Sequence, residues 1–197
     1  ATTALPVYPG APPDAWHGMQ LLVRDRAELR AAYGDFLAGR PPLRPAVLAL
    51  TPTAQDPSLA PPGRHTVTLW AQWHRYDLAG AGWDEVREGA ADAVVARLEE
   101  MAPGFSAGVV DRHVQTPPDL ERELGLRRGN VMHVEMGLDA MFALRPVPEL
   151  SGYRGPLPGL YLTGASTHPG GGVFGASGRS AARVLRNDLV RGRRIRK

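Results

Sequence analysis

The stretch Leu-Tyr-Leu-Thr-Gly-Ala-Ser-Thr-His-Pro-Gly-Gly-Gly-Val-Phe-Gly-Ala-Ser-Gly-Arg, residues 160–179, combines a short apolar run, a glycine-rich turn and a helix start. The pattern predicts a strand over Gly159–Gly164, a turn over 168–172 and a helix over Val173–Val190. Glycine has no Cβ, so a ligand can lie directly against the backbone of such a turn. The first turn of the helix presents unpaired N–H groups and the positive end of the helix dipole. The segment therefore suits an anion, or a ring that becomes negative during a reaction.

Physical reasoning alone leaves an ordinary tight turn open as an alternative for this segment. The phosphate-binding pattern G-x-x-x-x-G-K-[ST] is absent. No G-x-G-x-x-G follows a strand with an acid about twenty residues further on, so the dinucleotide fingerprint is absent as well. A nucleophilic Ser166 is disfavoured, because the motif G-x-S-x-G needs a small residue where His168 stands.

Upstream of this stretch, the sequence predicts a mixture of strands and helices. The first helix follows Asp25, which we expect to cap it with Glu28 as the reciprocal partner. Its predicted apolar face consists of Leu29, Ala32, Tyr33, Phe36 and Leu37. Two more helices are predicted, over Trp83–Met101 and from Thr116 to Gly125, and five strands, over 18–23, 46–50, 65–73, 109–115 and 131–136. The expected fold class is α+β: a mixed sheet with packed helices, followed by a terminal strand–Gly-rich turn–helix unit.

Composition excludes several classes of protein. The chain has 197 residues, of which 43% are hydrophobic and 22% are charged, as in globular domains. It has no cysteine, which excludes disulfide scaffolds, cysteine-based zinc sites, iron–sulfur clusters and cysteine nucleophiles. Its six histidines are scattered, so no metal site is expected. No apolar run approaches the ~20 residues that cross a bilayer.

The positive charge is concentrated at the end of the chain. The net charge is +3, and residues 183–197 carry seven basic groups and one acid. We interpret this basic tail as a solvated chain end, with contact to nucleic acid or an anionic membrane as the alternatives. The remainder has no basic stripe interleaved with aromatic residues, so no nucleic-acid partner is expected.

Residues 160–182 resemble the C-terminal flavin-binding segment of phytoene desaturase-like FAD-dependent oxidoreductases, including the pyridine nucleotide-disulfide oxidoreductase domain-containing type. Similar family segments occur at Asp56–His65, at Thr116–Glu121 and at Gly129-Asn130 with His133. Together they extend the resemblance over most of residues 20–190.

The resemblance implies the C-terminal part of a longer protein whose N-terminal Rossmann half holds the FAD pyrophosphate. Residues 1–155 would form part of a substrate-binding domain, 156–190 the C-terminal part of the FAD-binding domain, and 191–197 a basic tail. FAD would bind the full-length protein and be absent from this part alone, which would be inactive by itself.

The resemblance also implies which residues bind the flavin. The backbone of 170–173 would lie against the isoalloxazine ring, the following helix would point at its pyrimidine end, and Gly164 would meet the ribityl chain. Ala165 stands where many flavoproteins carry an aspartate, which puts that contact in doubt. The cofactor-binding residues implied are Gly164, Ala165, His168, Pro169, Gly170, Gly171, Gly172, Val173 and Gly175.

The function implied is a dehydrogenase or desaturase that acts on an apolar small molecule, with hydride or electron chemistry supplied by the flavin. No catalytic acid or base is assigned. His168 either tunes the flavin or is a loop histidine that bonds backbone. The aromatic residues Trp70, Trp73, Tyr76 and Trp83 form either core packing or an apolar substrate wall.

A second hypothesis is a non-catalytic assembly domain that forms a homodimer through exposed apolar surface. We expect a cytoplasmic location, with peripheral membrane contact as an open alternative.

Overall fold

A computed structural model describes residues 1–191 of the chain. The predicted basic tail therefore lies outside the described residues, except for Arg191. The chain divides into two compact units, Ala1–Asp119 and a second that begins at Leu120. The predicted boundary at 155/156 concerns the parts of a longer protein and stays a prediction.

The first unit is built on a three-stranded sheet. Strands β1 (Gln20–Leu22), β2 (Val47–Leu50) and β3 (Thr68–Ala71) lie in that order, and both pairings are antiparallel. Val47 in the central strand pairs with Leu22 on one side and with Ala71 on the other. The strands predicted over 18–23, 46–50 and 65–73 are thus found, although the third is shorter, because Trp73 has a left-handed φ of 60°.

Residues 1–191 contain five α-helices. They are α1 (Arg26–Leu37), α2 (Pro52–Gln55), α3 (Trp83–Met101), α4 (Pro117–Leu124) and α5 (Ala176–Val190). Helix α3 packs on all three strands. The buried core lies between α3 and the sheet and comprises Leu22, Val47, Ala49, Leu98, Ala102 and Phe105.

The start of α1 follows the predicted cap, with one change. The Asp25 carboxylate accepts the N–H groups of Ala27 and Glu28 at 2.8 and 2.9 Å. A reciprocal capping box would require the Glu28 carboxylate to accept the N–H of Asp25. It accepts the N–H of Arg24 instead, at 2.9 Å.

The predicted apolar face of α1 is partly wrong. Tyr33 and Leu37 are exposed, whereas Asp35 is buried. Its carboxylate accepts the N–H of Leu43 at 3.1 Å and pairs with Arg40 at 2.6 Å. The buried acid therefore binds the chain that leaves the helix, an arrangement that apolar periodicity cannot reveal.

Three predicted strands are absent from the described residues. Val109 forms an isolated bridge with Thr2, residues 131–136 form turns, and Tyr161 forms an isolated bridge with Arg154. Each segment has strand-like composition but lacks a partner of sufficient length, and a strand is stabilised through cross-strand pairs. Between α4 and α5, the helical structure consists of short 3₁₀ turns at Arg127–Gly129, Leu138–Ala140, Phe142–Leu144 and Pro148–Leu150.

A buried arginine joins α1, β1 and α3. The Arg97 side chain is 2% exposed and pairs with Glu28 at 2.8 Å and with Glu100 at 2.5 Å. It also donates to the Leu22 carbonyl at 3.3 Å. Arg44 bonds the same two carboxylates from the surface side. Because each carboxylate is shared by two guanidinium groups, the buried charge is compensated.

We expect Arg97→Met to destabilise the chain by about 3 kcal/mol, because it leaves Glu28 and Glu100 partly buried with fewer partners. Arg112→Met is the matched control. Arg112 pairs with Glu88 and Asp92 at the surface, and exposed pairs contribute at most about 1 kcal/mol. Urea unfolding followed by tryptophan fluorescence measures both, and equal losses would contradict the interpretation.

Candidate functional site

The glycine-rich turn has an unusual backbone. Gly164, Gly170, Gly172 and Gly175 have φ values of +101°, +107°, +143° and +66°, in the region that side chains disfavour. Val173 has φ +53°, which is uncommon for a β-branched residue. These residues delay the start of the predicted helix, so that α5 begins at Ala176 and not at Val173, and it ends at Val190 as predicted.

The three consecutive glycines differ in what covers them. Gly170 is buried, and a Cβ added there would meet the Met136 sulfur at 3.3 Å. A Cβ at Gly171 would meet the Cβ of Ala165 at 3.4 Å. Gly172 is exposed, and the space beside it is taken by the Phe174 ring. The first two glycines therefore let the chain approach itself closely, and the surface part of the turn begins at 172.

The exposed part leads directly into the N-terminus of α5. Val173 is fully exposed and Phe174 is 57% exposed. Gly175 is the N-cap, and no side chain caps the helix. The first intrahelical bond here runs from the Arg179 N–H to the Gly175 carbonyl at 3.0 Å. The N–H groups before it have no intrahelical acceptor, so this end carries partial positive charge.

His168 and Pro169 are joined by a cis peptide bond, and both are partly buried. The His168 carbonyl accepts the Tyr153 hydroxyl at 2.9 Å. Its ring lies 6.3 Å from the Phe142 ring, and among the described residues its buried Nδ1 has no hydrogen-bond partner. The backbone of His168 is therefore held, whereas Nδ1 makes no backbone bond.

Arg145 is the residue at this site that the sequence did not indicate. It is 1% exposed. Its guanidinium donates to the Ala165 carbonyl through Nη2 at 2.6 Å and Nε at 3.2 Å. The other acceptors are the carbonyls of Met132, Val134, Glu135 and Ala140, at 3.0–3.3 Å. One side chain thus connects the irregular segment 132–140 to Ala165, just before the turn.

The far end of α5 is attached to the segment before the turn. Arg154 forms a two-pronged pair with the buried Asp188, at 2.7 and 2.8 Å. The Tyr161 hydroxyl donates to the same carboxylate at 3.1 Å. Hydrogen bonding to Asp188 raises the pKa of Arg154; partial desolvation and the Asp188 carboxylate raise that of Tyr161.

The aromatic residues of the first unit fulfil different roles. Trp83 is buried, and its indole N–H donates to the carbonyls of Arg75 and Tyr76 at 3.0 and 3.1 Å. Trp70 is exposed, and Trp73 meets the Tyr33 ring edge-on at 5.6 Å. Trp83 is therefore core, whereas Trp70, Trp73 and the partly exposed Tyr76 remain available for a substrate wall.

Within residues 1–191, no helix is long and apolar enough to cross a membrane. The same residues contain no cluster of His, Cys, Asp or Glu side chains that could hold a metal ion.

Comparison with known proteins places the chain in a family. A scan against protein-family models finds none that matches the chain. The chain is 45% identical, over 94% of its length, to pyridine nucleotide-disulfide oxidoreductase domain-containing protein 2 of Rattus norvegicus. It is 32% identical, over 71% of its length, to a lycopene-forming phytoene desaturase of Paracoccus. It is 35% identical, over 67%, to 4,4'-diapolycopen-4-al dehydrogenase of Metabacillus indicus.

These relatives are oxidoreductases, and the chain belongs to their phytoene desaturase-like family. Within it, the chain is similar over nearly its whole length to the pyridine nucleotide-disulfide oxidoreductase domain-containing type. The C-terminal portion of those proteins is the part that matches. The chain spans 33% of the length of the rat protein and 28% of the Paracoccus desaturase. The family predicted from residues 160–182 is thereby confirmed.

We expect Asp188→Asn to destabilise the protein by about 1–3 kcal/mol, because it removes charge-assisted hydrogen bonds to Arg154 and leaves a poorer acceptor for Tyr161. Glu149→Gln, at an exposed position of the same unit, is the control and should change stability by less than about 0.5 kcal/mol. Thermal unfolding measures both variants. An Asp188→Asn protein as stable as the control would show that the pair does not hold α5.

Proposed function

We propose that this chain forms the C-terminal part of an FAD-dependent oxidoreductase of dehydrogenase or desaturase type. The exposed turn at 172–175 and the N-terminus of α5 would face the flavin. The flavin supplies the hydride or electron chemistry. The chain contributes binding, orientation and electrostatic stabilisation, and no acid or base of the described residues is assigned to the reaction.

The observation that carries the proposal is the uncapped N-terminus of α5 at an exposed turn. A helix start usually has Ser, Thr, Asp or Asn as its cap, whereas here Gly175 leaves the first N–H groups without a side-chain acceptor. An anionic or electron-rich group is a natural acceptor for these N–H groups.

The residues around the turn fit such a group unequally. Gly164 has a positive φ and open space where a Cβ would stand, and Gly172 is exposed. These glycines, with Val173 and Gly175, would offer backbone to a planar ring. Ala165 has no polar side chain and its carbonyl is engaged by Arg145, so it would hold the cofactor through neither group. Gly170 and Gly171 would contribute by shaping the turn.

An apolar small-molecule substrate is consistent with the first unit. Trp70 and Tyr33 expose about half of their side chains there, and Trp73 packs edge-on against Tyr33. The names of the carotenoid-related relatives point in the same direction.

The assembly hypothesis keeps one supporting observation. The second unit exposes Leu138, Phe142, Val173 and Phe174. Such surface would favour a homodimer, although it would equally be covered by the rest of a longer protein.

The test is flavin content of the full-length protein that contains this chain. We expect one FAD per protein, and Gly172→Ala should weaken FAD binding at least tenfold, because φ +143° is strained for alanine and the added methyl displaces Phe174 over the ring-facing surface. Absorbance in the visible flavin bands and titration of the apoprotein with FAD measure this.

Gly63→Ala is the matched control, since φ is +74° there and the space is open, so it introduces backbone strain without touching the turn. Its FAD affinity should equal that of the wild type. A full-length protein that neither contains nor takes up FAD, and that is dimeric by its solution mass, would replace this proposal by the assembly hypothesis.

A further inference from the structure

The second unit contains a buried positive charge without a buried negative partner. Every hydrogen bond of the Arg145 guanidinium goes to a backbone carbonyl oxygen. Among residues 1–191, no carboxylate forms an ion pair with it. Carbonyl dipoles satisfy the N–H groups but have no net charge, so the formal charge of +1 is not neutralised. Arg154 in the same unit differs, because Asp188 neutralises it.

This charge lies directly behind the glycine-rich turn. The Arg145 Nε is 3.8 Å from the position of a Cβ on Gly170. The guanidinium also binds the carbonyl of Ala165, three residues before the turn, through two nitrogens. The burial of Arg145 keeps water from screening the charge, so its field extends into the turn more strongly than that of a surface arginine.

Retention of such a charge requires an explanation. Burial of a cation costs several kcal/mol even after relaxation of the surroundings. A neutral side chain with N–H donors of its own could satisfy some of these carbonyls without that cost. A fixed charge behind a site where negative charge develops acts without reorganisation at the moment of reaction.

The geometry points to Arg145 as an electrostatic positioning residue, whose fixed positive charge behind residues 165–170 favours the reduced, electron-rich form of the bound flavin. This inference rests on the proposed function. Arg145 is covered by the turn and acts through it, so it is not a catalytic residue. Arg145 is thus a second source of positive potential beside the N-terminus of α5. Its potential comes from a full charge, whereas that of the helix comes from a dipole.

The experiment compares Arg145→Met and Arg145→Lys in the full-length, flavin-loaded protein. The measurement is the flavin reduction potential by dye-equilibrated spectroscopic titration at pH 5, because burial can lower the pKa of a lysine to about 6. We expect Arg145→Met to bind reduced flavin at least tenfold less well relative to oxidised flavin, which lowers the two-electron potential by about 30 mV or more. Arg145→Lys should keep the wild-type potential, even where lost hydrogen bonds weaken flavin binding.

Arg127→Met is the control, since it removes an exposed arginine of the same unit whose charge is screened by solvent, and it should leave the potential unchanged. A potential of Arg145→Met equal to the wild type, or of Arg145→Lys lowered by about 30 mV or more, would overturn the inference and leave a scaffold role. Where Arg145→Met does not fold, Arg145→Gln takes its place with the same expected loss, because glutamine keeps N–H donors for the carbonyls without the charge. Absence of flavin from the wild-type protein contradicts the proposed function itself, which separates the two failures.

Discussion

The second unit depends on the saturation of one guanidinium by backbone carbonyls. Between α4 and α5 the chain has short 3₁₀ turns and one isolated bridge, between Arg154 and Tyr161, but no strand. Such a segment leaves many carbonyl groups without ladder partners, and buried carbonyls require donors. Arg145 supplies five nitrogen-bound hydrogens in a rigid plane, which is the donor set that several converging carbonyls need. The irregular chain around the turn is therefore ordered by a side chain and not by secondary structure.

The two units illustrate two ways of burying an arginine. Arg97 is surrounded by carboxylates that it shares with Arg44, so the cluster holds the sheet and α3 together at little electrostatic cost. Arg145 has only dipoles as partners and keeps its charge. The first arrangement suits a scaffold. The Arg145 arrangement suits a site where the charge itself acts on a bound group, which agrees with the position of Arg145 behind the turn.

Elements with strong local signals were predictable from the sequence. Helix α3 has the predicted bounds, Asp25 caps α1, and β2 occupies most of the predicted run. The structure of three other segments was not predictable, because a strand depends on a distant partner that the local pattern does not contain. These segments are 109–115, 131–136 and 159–164. At the site, the glycines and the family were evident in residues 160–182. Arg145 was not, since a single arginine in an irregular segment has no periodicity to mark it.

The space beside Gly172 has a consequence for how this family can diverge. A methyl group at that position would overlap the Phe174 ring. Residue 172 therefore cannot acquire a side chain while 174 keeps an aromatic ring in this rotamer. Any enlargement at 172 requires either that the exposed Phe174 ring turns to another rotamer or that residue 174 becomes smaller.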